Sequence, residues 1–158
     1  MTSCKVDNKL VYDFFVVLYI HMKPVNIASS DLKKIIADYM EKGFLENIID
    51  LFKHDANLYS FVGDLVKDER FSVRIGISAL IETLKIEDAE NISKAMPSII
   101  PLLKDRNPTI RSDAAYLLGV IGNKDALPFL REATKDEDAN VSVIVEEAIE
   151  EINLNISR

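Results

Sequence analysis

The side chains able to do chemistry are few and poorly assembled. His21 and His54 are the only imidazoles in the chain, followed by Met22 and Asp55 respectively, and neither has a second metal-ligating partner nearby in sequence. A metal centre needs three or four donors at fixed spacing, so none is expected here. Cys4 is the only cysteine and sits in a polar opening segment. It excludes an intramolecular disulfide and lacks the positioned base that a catalytic thiol requires. Glu146, Glu147, Glu150 and Glu151 crowd one stretch. General acid–base work needs two carboxylates in contrasting environments, which one solvated helix face does not supply. Such a run reads better as a polar outer cap. There is no GxGxxG and no Walker lysine motif. The expectation is therefore a non-enzyme with no catalytic, cofactor-binding or metal residues.

Composition agrees with a folded, water-facing protein. Of 158 residues 48% are hydrophobic and 28% charged, with only 5 Gly and 5 Pro. The net charge of −7 is uneven: residues 1–56 carry 7 basic and 8 acidic side chains, residues 57–158 carry 12 and 18. Such a field repels phosphate backbones and anionic lipid and favours cationic partners, although it also serves solubility. The apolar run Leu10–Met22 contains Asp13, is too short to cross a bilayer and offers no small-residue cleavage site. It reads as a buried helix, and the expected localisation is cytoplasmic.

Apolar residues recur at helical spacing almost throughout, without a convincing alternating strand. The first helix is expected from about Asn8 to Met22, before Pro24. A second opens at Ser30 as N-cap, carries Leu32, Ile35, Ile36 and Tyr39, and stops at Gly43. A third runs from Phe44 to about His54 and a fourth from Leu58 to Lys67.

From residue 62 the chain repeats itself. VGDLVKDERFSVRIGISALIETL (62–84), IIPLLKDRNPTIRSDAAYLLGVI (99–121) and LREATKDEDANVSVIVEEAIEEI (130–152) align without gaps. Lys-Asp recurs at Lys67-Asp68, Lys104-Asp105 and Lys135-Asp136, and a β-branched residue follows at Val73, Ile110 and Val141. Core positions then match as Ile77/Ala114/Val145, Leu80/Leu117/Ala148, Ile81/Leu118/Ile149 and Leu84/Ile121/Ile152. Each unit is a short helix, an Asp-containing turn and a longer helix with one apolar stripe. Neither helix can bury that stripe alone, so neighbouring pairs must stack. The first two copies lie farther apart than the last two, which places extra residues around Ile86–Met96 and is expected to lengthen the following first helix.

The unit LLKDRNPTIRSDAAYLLGVIGNKDALPFL (102–130) closely resembles a HEAT-like repeat of the short phycobilisome-lyase type, through Leu102-Leu103-Lys104-Asp105, Pro108, Ile110-Arg111, Ala114-Ala115, Leu117-Leu118-Gly119 and Ala126-Leu127-Pro128. The match is good over 130–152, fair over 62–84 and absent as a motif before about residue 56. The resemblance implies an all-α fold: a right-handed α-solenoid of stacked antiparallel helix pairs, about nine helices in all. Residues 1–158 are expected to form a single solenoid domain, with 1–56 as degenerate repeats or an N-terminal helical cap and 57–158 as the repeats. The resemblance also implies that Asp105 and Arg111 bond within and between units rather than to a ligand, and that the second helices line a concave face.

Opposite the core stripe, the second helices present Ile75, Ser78, Ala79 and Glu82, then Ser112, Ala115, Tyr116 and Gly119, then Val143, Glu146, Glu147 and Glu150. From these, Ile75, Ala79, Glu82, Ser112, Tyr116, Val143, Glu147 and Glu150 are the expected partner-binding residues. An exposed aromatic with apolar neighbours and an acidic edge suits a protein hot spot. The expected function is an adaptor or scaffold that binds a basic or amphipathic protein segment, with the chain a monomer or a homodimer. Neither nucleic acid nor membrane is expected as a partner, because the second helices carry at most one basic residue each. The alternative is an accessory lyase or chaperone for a bilin or other cofactor.

Overall fold

The computed structural model describes residues 29–157. Cys4, His21 and the helix expected over 8–22 lie outside the described residues. Helix α1 (Ser29–Glu41) buries Leu32, Ile36, Ala37, Tyr39 and Met40. Ser30 lies inside it rather than capping it. The helix stops before Gly43, whose φ of +82° is left-handed and favours a residue without Cβ. Helix α2 (Leu45–His54) buries Ile48, Ile49, Leu51 and Phe52.

The repeats follow, each with a broken first arm and a continuous second helix. The first arm begins as a 3-10 stretch, Ala56–Phe61, and passes into α3 (Val62–Val66). After the turn comes α4 (Phe71–Glu87). The next arm is a 3-10 stretch (Ile92–Ala95), α5 (Met96–Ile99) and another 3-10 stretch (Ile100–Lys104). Pro97 and Pro101 open the last two pieces, and a residue without N–H interrupts the α ladder at each. Helix α6 (Pro108–Ile121) starts under an Asn107 cap that accepts from Thr109 N–H. A short 3-10 turn, Lys124–Ala126, leads into α7 (Leu127–Ala133). Asp138 then caps α8 (Ala139–Ile156), accepting from Asn140 and Val141 N–H. No strand occurs among the described residues.

The stacking is two-layered. Arms 56–66, 92–104 and 124–133 pack in one row, and α1, α4, α6 and α8 pack in the other. The repeated stripe forms the core between them. Val73, Ile77, Leu80, Ile81 and Leu84 are wholly buried, as are Leu118, Val145 and Ile152, while Ile110 and Ile149 are only partly so. The architecture is a helical solenoid of stacked helix pairs. The longer unit did not lengthen one helix alone. Helix α4 has 17 residues against 14 in α6, the link Asp88–Asn91 is longer than Gly122–Asn123, and the arm 92–104 is longer than 124–133.

Turns are tied by arginine. The Arg111 guanidinium donates to both carboxylate oxygens of Asp136 at 2.7 Å and to the Asp105 carbonyl at 2.9 Å. Both side chains are only 8% exposed, so this bond links one unit's turn to the next. Arg74 occupies the matching place but does not copy it. Its Nε lies 3.5 Å from Asp113 Oδ2, and neither atom has a hydrogen-bond partner. Asp136 follows Arg111 by 25 residues, whereas the longer preceding unit carries Asp105 farther from Arg74; Lys67 approaches Asp105 instead, at 3.9 Å. Arg70 joins α1 to the first unit, donating to Asp38 at 2.7 Å, Glu41 at 2.8 Å and its own turn's Asp68.

Candidate functional site: a cleft across three second helices

The second helices do not pack flush along their whole length. A cleft of about 530 Å³ opens between them, lined by Glu82, Lys85 and Ile86 of α4, Tyr116, Gly119 and Val120 of α6, and Ile144, Glu147, Ala148 and Glu151 of α8. Helix α6 lies between the other two and supplies the floor. Gly119 sets its depth: a Cβ built there would stand 2.9 Å from both Cα and Cβ of Ala148. The missing side chain lets α6 and α8 approach closely at that point.

Tyr116 is the aromatic centre, 41% exposed. Its hydroxyl donates a hydrogen bond to Glu82 of the preceding unit. That bond, with burial second, pushes the phenol up to about 12. At neutral pH it is a neutral donor held by a carboxylate. Glu151 accepts from Asn155 Nδ2 at 3.2 Å. Glu147 has no hydrogen bond or ion pair among the described residues and is exposed. The lining therefore combines an apolar floor with three carboxylates and one lysine.

Of the eight residues expected to bind a partner, Glu82, Tyr116 and Glu147 line this cleft. Ile75 and Val143 are exposed nearer the helix N-termini, Glu150 is exposed, and Ala79 and Ser112 are half-buried. Ala115, placed on the same strip, is wholly buried. Lys85 corrects the expectation of one basic residue per second helix, because α4 continues to Glu87 and carries both Arg74 and Lys85. Lys85, Ile86, Val120, Ile144 and Glu151 were missed. A signal for them existed, since each stands three or four residues from Glu82, Tyr116 or Glu147 and so shares its helix face. His54 places Nδ1 2.7 Å from the Asp50 carbonyl within its own helix. Among the described residues no cluster of three or more His, Cys, Asp or Glu could hold a metal ion. No helix of the described residues is long and apolar enough to cross a membrane.

Paired helices stacked so that every second helix presents the same face define an α-solenoid repeat protein. The sequence profile for HEAT repeats matches residues 60–153, more than half of the chain, and the chain belongs to that family. No curated protein sequence matches it. HEAT repeats generally mediate protein–protein interaction as scaffolds and are typically non-catalytic.

Proposed function

We propose that the protein is a cytoplasmic, non-enzymatic adaptor that holds a segment of a partner protein in the cleft between α4, α6 and α8. One observation carries this reading. An exposed tyrosine and an apolar floor from the second repeat converge on a single opening with one carboxylate of the first repeat and two of the third, and aromatic anchors surrounded by a polar edge dominate protein-binding energetics. The eight residues Ile75, Ala79, Glu82, Ser112, Tyr116, Val143, Glu147 and Glu150 form the wider contact surface. The acidic lining favours a cationic segment and disfavours nucleic acid. In this reading the whole chain is one solenoid, with residues 1–56 capping its N-terminal end.

The test is affinity capture from the native host with the wild-type chain and with Tyr116→Ala/Glu147→Lys. At least one specific partner is lost by the double variant; retention of every captured partner removes the cleft from the adaptor role. A second reading, carriage of a bilin or similar cofactor, draws on the cleft volume, which falls in the range of small-ligand pockets. The lining opposes it, because a pigment bearing carboxylates would meet three glutamates and one lysine. Co-expression with a pigment pathway then yields a colourless protein, and a coloured product reverses that order.

A further inference from the structure

The two helices that flank the cleft carry the same exposed pattern twice, partly in its lining and partly beyond it. Ile75, Glu82 and Ile86 on α4, and Val143, Glu150 and Leu154 on α8, stand at i, i+7 and i+11, positions that share one helix face. The four apolar members are all more than half exposed, Ile86 at 83%. The two triplets occupy matching places in the first and third repeats. The surface is thus an apolar rim, an acidic band and a second apolar rim. Tyr116 and Glu147 lie within the band.

The dimensions select an occupant. Eleven residues of helix separate the rims by roughly 16 Å, and an α-helix with its side chains is roughly 10–12 Å across. A helix laid over the second helices fills that width, with its underside on the acidic band and its flanks against the rims. Crossing from α4 to α8 covers two interaxial steps of roughly 8–10 Å each, which is about 11–13 residues of helix. Charge decides the composition. Glu147 and Glu150 have no ion pair among the described residues, and an acidic or neutral helix would strip water from them without replacing it.

The geometry points to a single cationic α-helix of about three turns as the segment this surface takes. It presents Lys or Arg near one end to Glu82 on α4 and, about 11 residues further on, to Glu147 and Glu150 on α8. Its apolar side chains meet Ile75, Val143, Ile86 and Leu154. The inference rests on the adaptor reading and adds the conformation, charge and direction of the bound segment.

Random peptides of about 14 residues, long enough for three turns with frayed ends, are displayed and selected against the intact protein. The enriched peptides are synthesised and measured by fluorescence anisotropy and circular dichroism. The targets are wild type, Glu147→Lys/Glu150→Lys and Ile86→Ser/Leu154→Ser. All four substituted positions are exposed, and unchanged melting curves verify that the variants fold. Enriched peptides carry basic residues at helical spacing, gain helicity on binding, and bind either variant about tenfold more weakly. Enrichment of proline-containing or extended sequences, binding indifferent to the rim variant, or no enrichment overturns the inference. The capture experiment stays independent: a native partner that needs Tyr116 and Glu147 but binds in extended form leaves the adaptor standing and removes the helix.

Discussion

Tyr116 and Glu82 belong to different repeats, and the hydrogen bond between them can be read by titration. The folded protein holds the phenol at about 12, above the usual 10.0. A group raised on folding contributes stability that is complete below its unfolded value. That contribution is lost as pH rises through the folded one. An alkaline ultraviolet titration should therefore find Tyr116 ionising late, and Glu82→Gln should bring it back toward the ordinary range. Asp136 works in the opposite sense. The Arg111 hydrogen bond holds its carboxyl below the usual 3.8, so this contribution is present above that value and disappears in more acid solution. Arg111→Ala lowers the melting temperature at neutral pH by on the order of 5–10 °C, and the gap to wild type narrows as pH falls below the carboxylate range. Lys104→Ala, which removes an exposed ion pair to Glu132, changes it by about 1 °C or less. The linking role of Arg111 was implied by the resemblance of 102–130 to a HEAT-like repeat, whose turn Asp and second-helix Arg bond within and between units. The failure of Arg74 to repeat it was not, because it depends on where the longer unit puts the next turn.

At the scale of the element, the cleft depends on how closely two helices approach. Gly119→Ala drives a methyl into Ala148 and is expected to cost about 1–3 kcal/mol, read as a lowered denaturation midpoint. Adding Ala148→Gly restores only part of the loss, because the Ala148 Cα is as close as its Cβ. Full recovery by the double variant would mean that the two side chains alone set the spacing. The stripes that bury α4, α6 and α8 were plain in the sequence through Ile77, Ala114, Val145 and their matches. Helix ends were less plain. Helix α4 outruns its aligned core, which stops at Leu84, and the extra turn carries Lys85 and Ile86 into the cleft. The arms were legible as helices but not as 3-10 pieces, since backbone hydrogen-bond pattern around Pro97 and Pro101 responds to what packs beneath them.

For the whole molecule, stability is a sum of contacts between neighbouring pairs. Helix α6 is covered by α4 on one side and α8 on the other, whereas Leu154 and Ile156 at the end of α8 are exposed. Hydrogen exchange followed by mass spectrometry should find the α6 amides slowest and the last turn of α8 fast. Uniform protection across all three second helices would show that the array opens as one unit instead. The sequence by itself determined the class of fold and the core stripe, because an amphipathic period copied three times admits one way of hiding its apolar side. It also placed Glu82, Tyr116 and Glu147 on one exposed face of the second helices. Only the tertiary structure decided that these three converge, and that Lys85, Ile86, Ile144 and Glu151 join them while Ala115 does not. Convergence depends on the lateral offset and closeness of helices from different repeats, which the Gly119–Ala148 contact and the unequal unit lengths fix in space.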